Sequence, residues 1–241
     1  MSFYLPLAPS EPTSVIKSTR ILHAISKQLT EGSLTSPIFA CTPNTLELAE
    51  IYNEARQGSL DLMSHPAWWS SLDGWGIGSQ YRAELDILAR QSAGDAEKGT
   101  LSFLVDQGVA QMAMHLLPFF QHLLIKCGDK GVVAASRFSS DSIWASEKTN
   151  MYTRTVVAHG NSGGVSITHY PALRVDNIIN VTGAGDTFVG TILAQLAEDP
   201  DALDKGPESL QSVINMAQRG AVATLQSSLA VSPSLASITT Q

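Results

Sequence analysis

Cysteine is scarce in this sequence, with two residues among 241, Cys41 and Cys127. Because they lie far apart in sequence, they indicate the reduced thiols of a cytoplasmic protein rather than a disulfide framework. The six histidines form no HxxxH pair and have no Cys/His spacing, which disfavours a zinc site. A GxSxG motif is absent as well, so nothing supports a serine hydrolase.

Basic runs and long apolar runs are also lacking. Lys and Arg number 15 against 22 Asp and Glu, a net charge of −7, which disfavours nucleic acid as a partner. No apolar stretch reaches the roughly 18 residues that a membrane span needs. The N-terminal residues MSFYLPLAPSEP have no basic segment and no apolar segment typical of a signal peptide. We therefore expect a globular protein with no membrane partner.

Hydrophobic spacing and turn residues predict strands that alternate with helices, which favours a layered α/β fold. The helices are predicted over 13–30, Thr45–Gln57, Tyr81–Gln91, Ser102–Leu116, Ala184–Ala197 and Glu208–Gln226. The strands are predicted over Ser36–Cys41, His122–Lys126, 132–136, Thr155–Ala158 and Val165–Tyr170, with Asn177–Val181 as a short strand or approach segment. The segment 137–176, which contains the last two of these strands, is expected to be an irregular or β-rich connection.

One long segment, residues 58–80, has no clear period and is rich in Gly, Ser and Trp. It predicts a surface loop, inserted into a single domain that covers 1–241. Its tryptophans Trp68, Trp69 and Trp75 are expected to cover apolar surface rather than to stack on a ligand.

The segment NVTGAGDTFVG, from Asn180 to Gly190, places two glycines and an acid at the start of a predicted helix. Glycine reaches backbone conformations closed to other residues, so successive N–H groups can converge. At a helix N-terminus these donors are unpaired, and the helix dipole adds about half a positive charge, which favours an anion. Asp186 follows at once, where a carboxylate can accept a proton from a hydroxyl group. Alone, the pattern is more typical of a capped helix with Thr182 as its N-cap.

The same segment resembles the C-terminal signature of the PfkB-type, ribokinase-like carbohydrate kinases, in which an acid or asparagine precedes x-T-G-A-G-D-x-F-x-G. The resemblance implies a three-layer αβα fold with a mostly parallel sheet, and ATP-dependent phosphorylation of a small-molecule sugar or nucleoside. It implies that Asp186 is the catalytic base. It further implies that Gly183, Ala184 and Gly185 form an anion hole and that Thr182 contacts the cofactor.

Two further segments resemble motifs of this family. Asn44 and Glu47, within NTLE, match its N-x-x-E motif, which implies that they organise Mg²⁺ and the ATP phosphates, with Glu47 acting on the metal through water. An ordinary helix start with an acid in its first turn is the alternative. The segment LLIKCGDKGVVAAS resembles the family's strand–G-x-x-G–strand, which implies that Lys126, Gly128 and Gly131 lie by the ATP phosphates or ribose. A plain hairpin is the alternative there.

The segment EPTSVIKSTRI (Glu11–Ile21), followed by TPNTLELAEIY, resembles the pseudouridine kinase branch of the family, particularly the fungal form fused to a pseudouridine-5′-phosphate glycosidase. This implies phosphorylation of the 5′-hydroxyl of pseudouridine. The family's N-terminal strands, Gly-Gly-Asn sugar motif and lid are not found, so we expect a truncated kinase domain. Because the lid often forms the dimer contact in this family, a homodimer is left open. The alternative function is that of a nucleotide-binding remnant or interaction protein without catalysis.

Overall fold

The computed structural model describes Ile25 and residues 38–57, 61–94 and 96–235. The helix predicted over 13–30, apart from Ile25, and the Glu11–Ile21 motif lie outside the described residues. The chain divides into two compact units, Met1–His169 and Tyr170–Gln241. The single domain expected over 1–241 stays a prediction.

The first unit contains a five-stranded sheet in the order β1-β2-β3-β5-β4. Its strands are β1, Ile38–Cys41; β2, Phe120–Lys126; β3, Val132–Phe138; β4, Thr155–Gly160; and β5, Gly163–Tyr170. Strands β1 and β2 pair in parallel, whereas β2 pairs with β3 and β4 with β5 in antiparallel fashion. The sheet of the described residues is therefore mixed rather than mostly parallel, because the short connections within each hairpin return the chain in the opposite direction.

The helices of the first unit pack on this sheet around one apolar core that includes Leu48, Leu104, Phe120 and Val165. The α-helices in its described part are α1, Thr45–Gln57; α2, Pro66–Gly74; α3, Ser79–Ala89; α4, Phe103–Asp106; and α5, Val109–Leu116. The structure thus confirms the predicted α/β class, the hairpin of β2 and β3, and the helix after TPN.

The single helix predicted over Ser102–Leu116 is wrong, because the structure forms two helices, α4 and α5, with a break between them. Gly108 lies at the break with a φ of 67°, in the left-handed region. Glycine adopts this conformation without steric cost, and it ends a right-handed helix. The apolar spacing continues across the break, so the spacing alone suggests one element.

The irregular loop predicted over 58–80 is also wrong where the structure describes it. A short 3₁₀ turn at Leu62–Ser64 leads into α2, whose start is favoured by Pro66 at its first position. Trp68 is buried in the core, and its indole N–H donates to the carbonyl oxygen of His115 at 2.8 Å. Tertiary burial of tryptophan stabilises a segment whose sequence has no helical period.

The second unit consists of two packed helices, α6, Ala184–Glu198, and α7, Pro207–Leu225, which confirms both predictions. Asn177–Val181 forms no strand. Instead, the N–H groups of Ile179 and Asn180 both donate to the carbonyl oxygen of Leu225, so the segment approaches α6 along the end of α7. Among the helices that the structure describes, none combines the length and apolar character needed to cross a membrane.

Candidate active site

Helix α6 begins at the GAGD segment, with Gly183 as its N-cap at a φ of 84°. The first intrahelical bond to the N-cap runs from the Thr187 N–H to the Gly183 carbonyl oxygen, at 2.8 Å. The N–H groups of Ala184, Gly185 and Asp186 precede this bond and therefore have no partner within the helix. Gly185 and Asp186 are exposed, so these donors can meet a ligand. The helix start therefore fits a phosphate group.

Asp186 is the third residue of α6, and its side chain makes no hydrogen bond or ion pair with other residues in the described part of the chain. Its carboxylate borders a cavity of about 310 Å³. The other lining residues are Thr187, Gly190, Thr191, Ala194, Val231 and Leu235. An exposed carboxylate that no described residue engages is able to reach a hydroxyl group of a bound molecule.

Gly183 is required by close packing as well as by its backbone conformation. A methyl group at this position would lie 1.9 Å from the carbonyl oxygen of Ala230, a distance at which backbone must shift. The residues after α7 therefore lie directly against the start of α6. No side chain larger than hydrogen fits at Gly183 without displacing them.

Hydroxyl groups fix the first turns of α6 against α7. The Thr187 and Thr224 hydroxyl groups share a buried hydrogen bond of 2.9 Å, and the Thr191 hydroxyl donates to the Thr187 carbonyl oxygen at 2.8 Å. Gly220 lets the helices approach closely here, since a methyl group on it would lie 2.5 Å from the Thr191 hydroxyl. These contacts hold the segment that carries Asp186.

The Thr182 N–H has a local partner, because it donates to the Asn180 side-chain oxygen at 2.9 Å. The Thr182 side chain is exposed. The cofactor contact predicted for Thr182 therefore rests on its side chain and not on its backbone N–H.

In the first unit, Asn44 and Glu47 form a reciprocal cap at the start of α1. The Asn44 side-chain oxygen accepts from the Glu47 N–H at 2.9 Å, and Glu47 Oε2 accepts from the Asn44 N–H at 2.7 Å. This is the capping-box arrangement, which satisfies two donors at a helix N-terminus. Glu47 is only 2% exposed. Asn44 and Glu47 thus form the ordinary helix start that the sequence left open as the alternative.

Lys126 lies beside this cap at the carboxyl end of β2. Its backbone N–H donates to the Pro43 carbonyl oxygen at 2.8 Å, and it forms an isolated parallel bridge with Asn44. The parallel pairing of β1 and β2 brings the start of α1 next to the end of β2. Asn44 and Lys126 therefore lie side by side, although they are 82 positions apart in sequence. Ligands of α/β proteins commonly bind at such carboxyl ends.

The predicted Gly128–Gly131 segment is the turn between β2 and β3. It contains a short 3₁₀ turn at Gly128–Lys130, closed by a bond from the Cys127 N–H to the Gly131 carbonyl oxygen at 2.8 Å. Gly128 has a φ of 61° and Gly131 a φ of 95°, both in the region that favours glycine. Space is open around Gly128, where an added methyl group would meet nothing within 4 Å.

The described residues contain no group of three or more His, Cys, Asp or Glu side chains arranged to hold a metal ion. A Mg²⁺ ion that accompanies a nucleotide needs only one or two carboxylates, because phosphate oxygens and water supply its other ligands. Glu47 is a single carboxylate at the start of α1, buried and with its Oε2 held in the cap.

Both cysteines are free, as their sequence separation predicted. Burial raises the pKa of the Cys41 thiol to about 12, and the nearby Glu47 carboxylate adds to the effect. Burial likewise raises the pKa of Cys127 to about 12. We expect neither thiol of the native chain to react with iodoacetamide near pH 8, because the thiolate is the reactive form. Mass spectrometry of native and guanidinium-unfolded samples measures this, and equal labelling in the two samples would contradict it.

The model of the pfkB family carbohydrate kinases matches residues 105–236, more than half of the chain. The pseudouridine-metabolizing bifunctional protein of Schizosaccharomyces pombe is 28% identical over 226 residues, which cover 93% of this chain and 26% of that protein.

Among solved structures, ribokinase from Giardia lamblia matches 99% of this chain and 50% of its own, with 13% identity and a TM-score of 0.43. Ribokinase from Thermotoga maritima matches 85% of this chain and 43% of its own, with 14% identity and a TM-score of 0.37. The chain therefore spans half or less of the length of each of these relatives.

The predicted site residues lie at the start of α6 in one unit and around the ends of β1 and β2 in the other. Sequence reasoning treated His169 as an ordinary histidine, although this side chain contacts the turn between β2 and β3. No local signal marks it, because its partner Lys130 is 39 positions away. Both the turn and the start of α6 lie within the matched region, and because the family model covers more than half of the sequence, the chain belongs to the pfkB family of carbohydrate kinases.

Proposed function

We propose that this chain carries the phosphotransfer part of an ATP-dependent kinase, which acts on the hydroxymethyl group of a sugar or nucleoside. The observation that carries the proposal is the start of α6. There an exposed carboxylate, Asp186, follows backbone N–H groups that no helical carbonyl engages, inside the residues matched by the family model.

Asp186 acts as the general base in this proposal. It accepts the proton of the acceptor hydroxyl while that oxygen forms a bond to the γ-phosphorus of ATP. The bond between the γ-phosphorus and the bridging oxygen breaks in line, and ADP leaves with the electron pair. Asp186 then releases the proton to water. Its exposure and its lack of a protein partner in the described residues suit this role.

The start of α6 also supplies charge stabilisation. The N–H groups of Ala184, Gly185 and Asp186 donate to the oxygens of the transferred phosphoryl group, and the helix dipole favours the same negative charge. These donors are held in place before any ligand arrives, because Gly183 is packed against Ala230 and Thr187 is bonded to Thr224. Preorganised donors need no rearrangement in the transition state.

The nucleotide is assigned to the residues around the end of β2. Lys126 supplies a positive charge for the phosphates, and Gly128 leaves open space beside the backbone at the start of the turn. Bound Mg²⁺ would supply positive charge to the β- and γ-phosphates of ATP. Asn44 and Glu47 lie beside Lys126, and the Glu47 carboxylate would hold the metal there through water.

The acceptor proposed is pseudouridine, phosphorylated on its 5′-hydroxyl. Two observations support it: the resemblance of Glu11–Ile21 and the following TPNTLELAEIY to the pseudouridine kinase branch, and the 28% identity with a protein named for pseudouridine metabolism. The site of α6 itself does not select a base, because it engages only the phosphoryl group and the hydroxyl.

A coupled assay tests the function directly. The full chain is mixed with MgATP and pseudouridine, and ADP formation is compared with a blank that lacks the nucleoside. Release of ADP that depends on pseudouridine supports the proposal. ADP release with ribose or adenosine but not with pseudouridine would support the kinase activity and refute pseudouridine as the acceptor. Nucleotide binding without acceptor-dependent ADP would instead indicate the non-catalytic nucleotide-binding protein.

Replacing Glu47 with glutamine separates its capping role from its proposed charge. Glutamine at this position of a capping box still accepts from the Asn44 N–H, so we expect little change in the melting temperature. The negative charge is lost, and the Mg²⁺ concentration for half-maximal ATP binding should rise about 10- to 100-fold, the range for lost outer-shell partners of metals. Calorimetric titration of ATP at several Mg²⁺ concentrations measures this. An unchanged Mg²⁺ requirement would restrict Glu47 to its cap.

A further inference from the structure

The turn between β2 and β3 is tied to β5, the strand next to β3 in the sheet, by one buried side chain, His169. His169 is 1% exposed and lies near the end of β5. Its Nε2 lies 2.7 Å from the Lys130 carbonyl oxygen, and its Nδ1 lies 3.0 Å from Arg154 Nη1. The imidazole therefore bridges a strand end and the turn.

The partners of His169 determine its protonation. The Lys130 carbonyl can only accept, so Nε2 carries the proton and donates. The Arg154 guanidinium can only donate, so Nδ1 is the acceptor. A second proton on the ring would face the guanidinium. Burial, together with Arg154, lowers the pKa of His169 to about 4, so the bridge keeps one neutral tautomer through the physiological range.

Arg154 is itself held in place for this contact. It has a φ of 54°, an uncommon conformation for a residue with a side chain. Its carbonyl oxygen accepts from the His169 N–H at 3.1 Å. Arg154 and His169 are thus joined through both backbone and side chain, which makes a firm support for the turn.

The turn has a second anchor in the side chain of Lys130. Its ammonium group lies 5.0 Å from the centre of the Phe103 ring, a cation–π distance. The backbone of Lys130 is therefore fixed by His169 and its side chain by Phe103. In contrast, the space around Gly128 is open. The turn is supported on one side and accessible on the other.

We propose that His169 is a positioning residue for nucleotide binding, which holds the Cys127–Gly131 turn in the conformation that receives the phosphates or ribose. The proposal rests on the proposed function, which assigns the nucleotide to this turn. His169 itself does not contact the nucleotide. It acts through the Lys130 carbonyl, so its loss should weaken nucleotide affinity more than it affects other properties of the folded chain.

The test compares MgATP dissociation constants of the full chain by calorimetric titration, well below each variant's melting temperature. We expect His169→Leu to weaken binding about tenfold, since it leaves the Lys130 carbonyl oxygen without the donor that His169 provides. His169→Gln keeps a donor near the Nε2 position and should recover affinity to within about threefold. His122→Leu is the matched control.

His122 is equally buried and also bridges this hairpin, through a 2.8 Å bond between its Nδ1 and the Ser136 hydroxyl. It lies on the strands rather than at the turn, so His122→Leu should lower the melting temperature and leave the dissociation constant unchanged. Should His169→Leu fail to fold, Arg154→Gly replaces it, because glycine accepts the positive φ while the guanidinium is lost. That variant should bind about threefold more weakly.

Three results overturn the inference: unchanged affinity in His169→Leu, equal weakening in the two leucine variants, or no recovery in His169→Gln. If His169→Leu does not fold, unchanged affinity in Arg154→Gly overturns it as well. A wild-type chain that binds no MgATP overturns both this inference and the assignment of the nucleotide to the turn. That outcome is distinct, because in the other cases the wild type binds normally.

Discussion

Replacing Asp186 with asparagine is expected to lower kcat by about 10²- to 10⁴-fold, the range that a positioned general base contributes. Asparagine has nearly the same shape but cannot take a proton from the acceptor hydroxyl. The backbone N–H groups at the start of α6 remain, so phosphate binding should persist. The expected result is therefore a fall in kcat with an ATP dissociation constant close to that of the wild type, measured by acceptor-dependent ADP release and by calorimetric titration.

Asp176→Asn is the matched control for this experiment. Asp176 belongs to the same unit, and its carboxylate is exposed in a 2.9 Å ion pair with Arg174. An exposed pair of this kind contributes little to stability, so turnover and melting temperature should both stay near wild-type values. Near-normal turnover in Asp186→Asn would refute its role as the base. An equal loss in both variants would indicate a general effect of charge instead.

Replacing Gly183 with alanine is expected to lower the free energy of unfolding by about 2–4 kcal/mol. Two costs add at this position. The φ of 84° is unfavourable for any residue with a side chain, and the new methyl group would lie 1.9 Å from the Ala230 carbonyl oxygen. Because the obstacle is backbone, the residues after α7 or the start of α6 must move. Urea denaturation of the purified chain measures the change.

Gly190→Ala provides the control on the same helix. A methyl group at Gly190 would meet nothing within 4 Å, and alanine favours the helical conformation. This variant should be more stable than the wild type by about 0.5–1 kcal/mol. If Gly183→Ala were as stable as Gly190→Ala, the close approach of Ala230 to α6 would be refuted. A loss of stability in both variants would show that helix α6 tolerates no added volume.

The elements that the sequence predicted well are those in which a local signal agrees with the tertiary environment. The hairpin of β2 and β3 has two apolar runs around a glycine turn, and both runs are buried on folding. Helices α6 and α7 keep a helical period over their whole length. The predicted helix over Ser102–Leu116 failed because one residue, Gly108, changes the direction of the backbone without interrupting the apolar spacing.

The segment over 58–80 shows the opposite case. It has little periodicity, yet Trp68 and Trp75 are buried in the core and α2 forms around them. Nothing close in sequence encodes this burial, because the partner of the Trp68 indole is the His115 carbonyl oxygen, 47 positions away. Contacts over such distances are decided by the packing of the whole unit.

For the candidate site, the sequence by itself determined the chemistry of each short segment. Gly183–Asp186 specifies a helix start with free donors and an acid, and the turn after β2 specifies a glycine backbone, because both depend on neighbours within a few residues. Only the tertiary structure decided what holds these segments. The Ala230 carbonyl closes on Gly183, and His169 reaches Lys130 from another strand. These supports join residues 39 to 47 positions apart, and chain folding, rather than local pattern, brings such residues into contact.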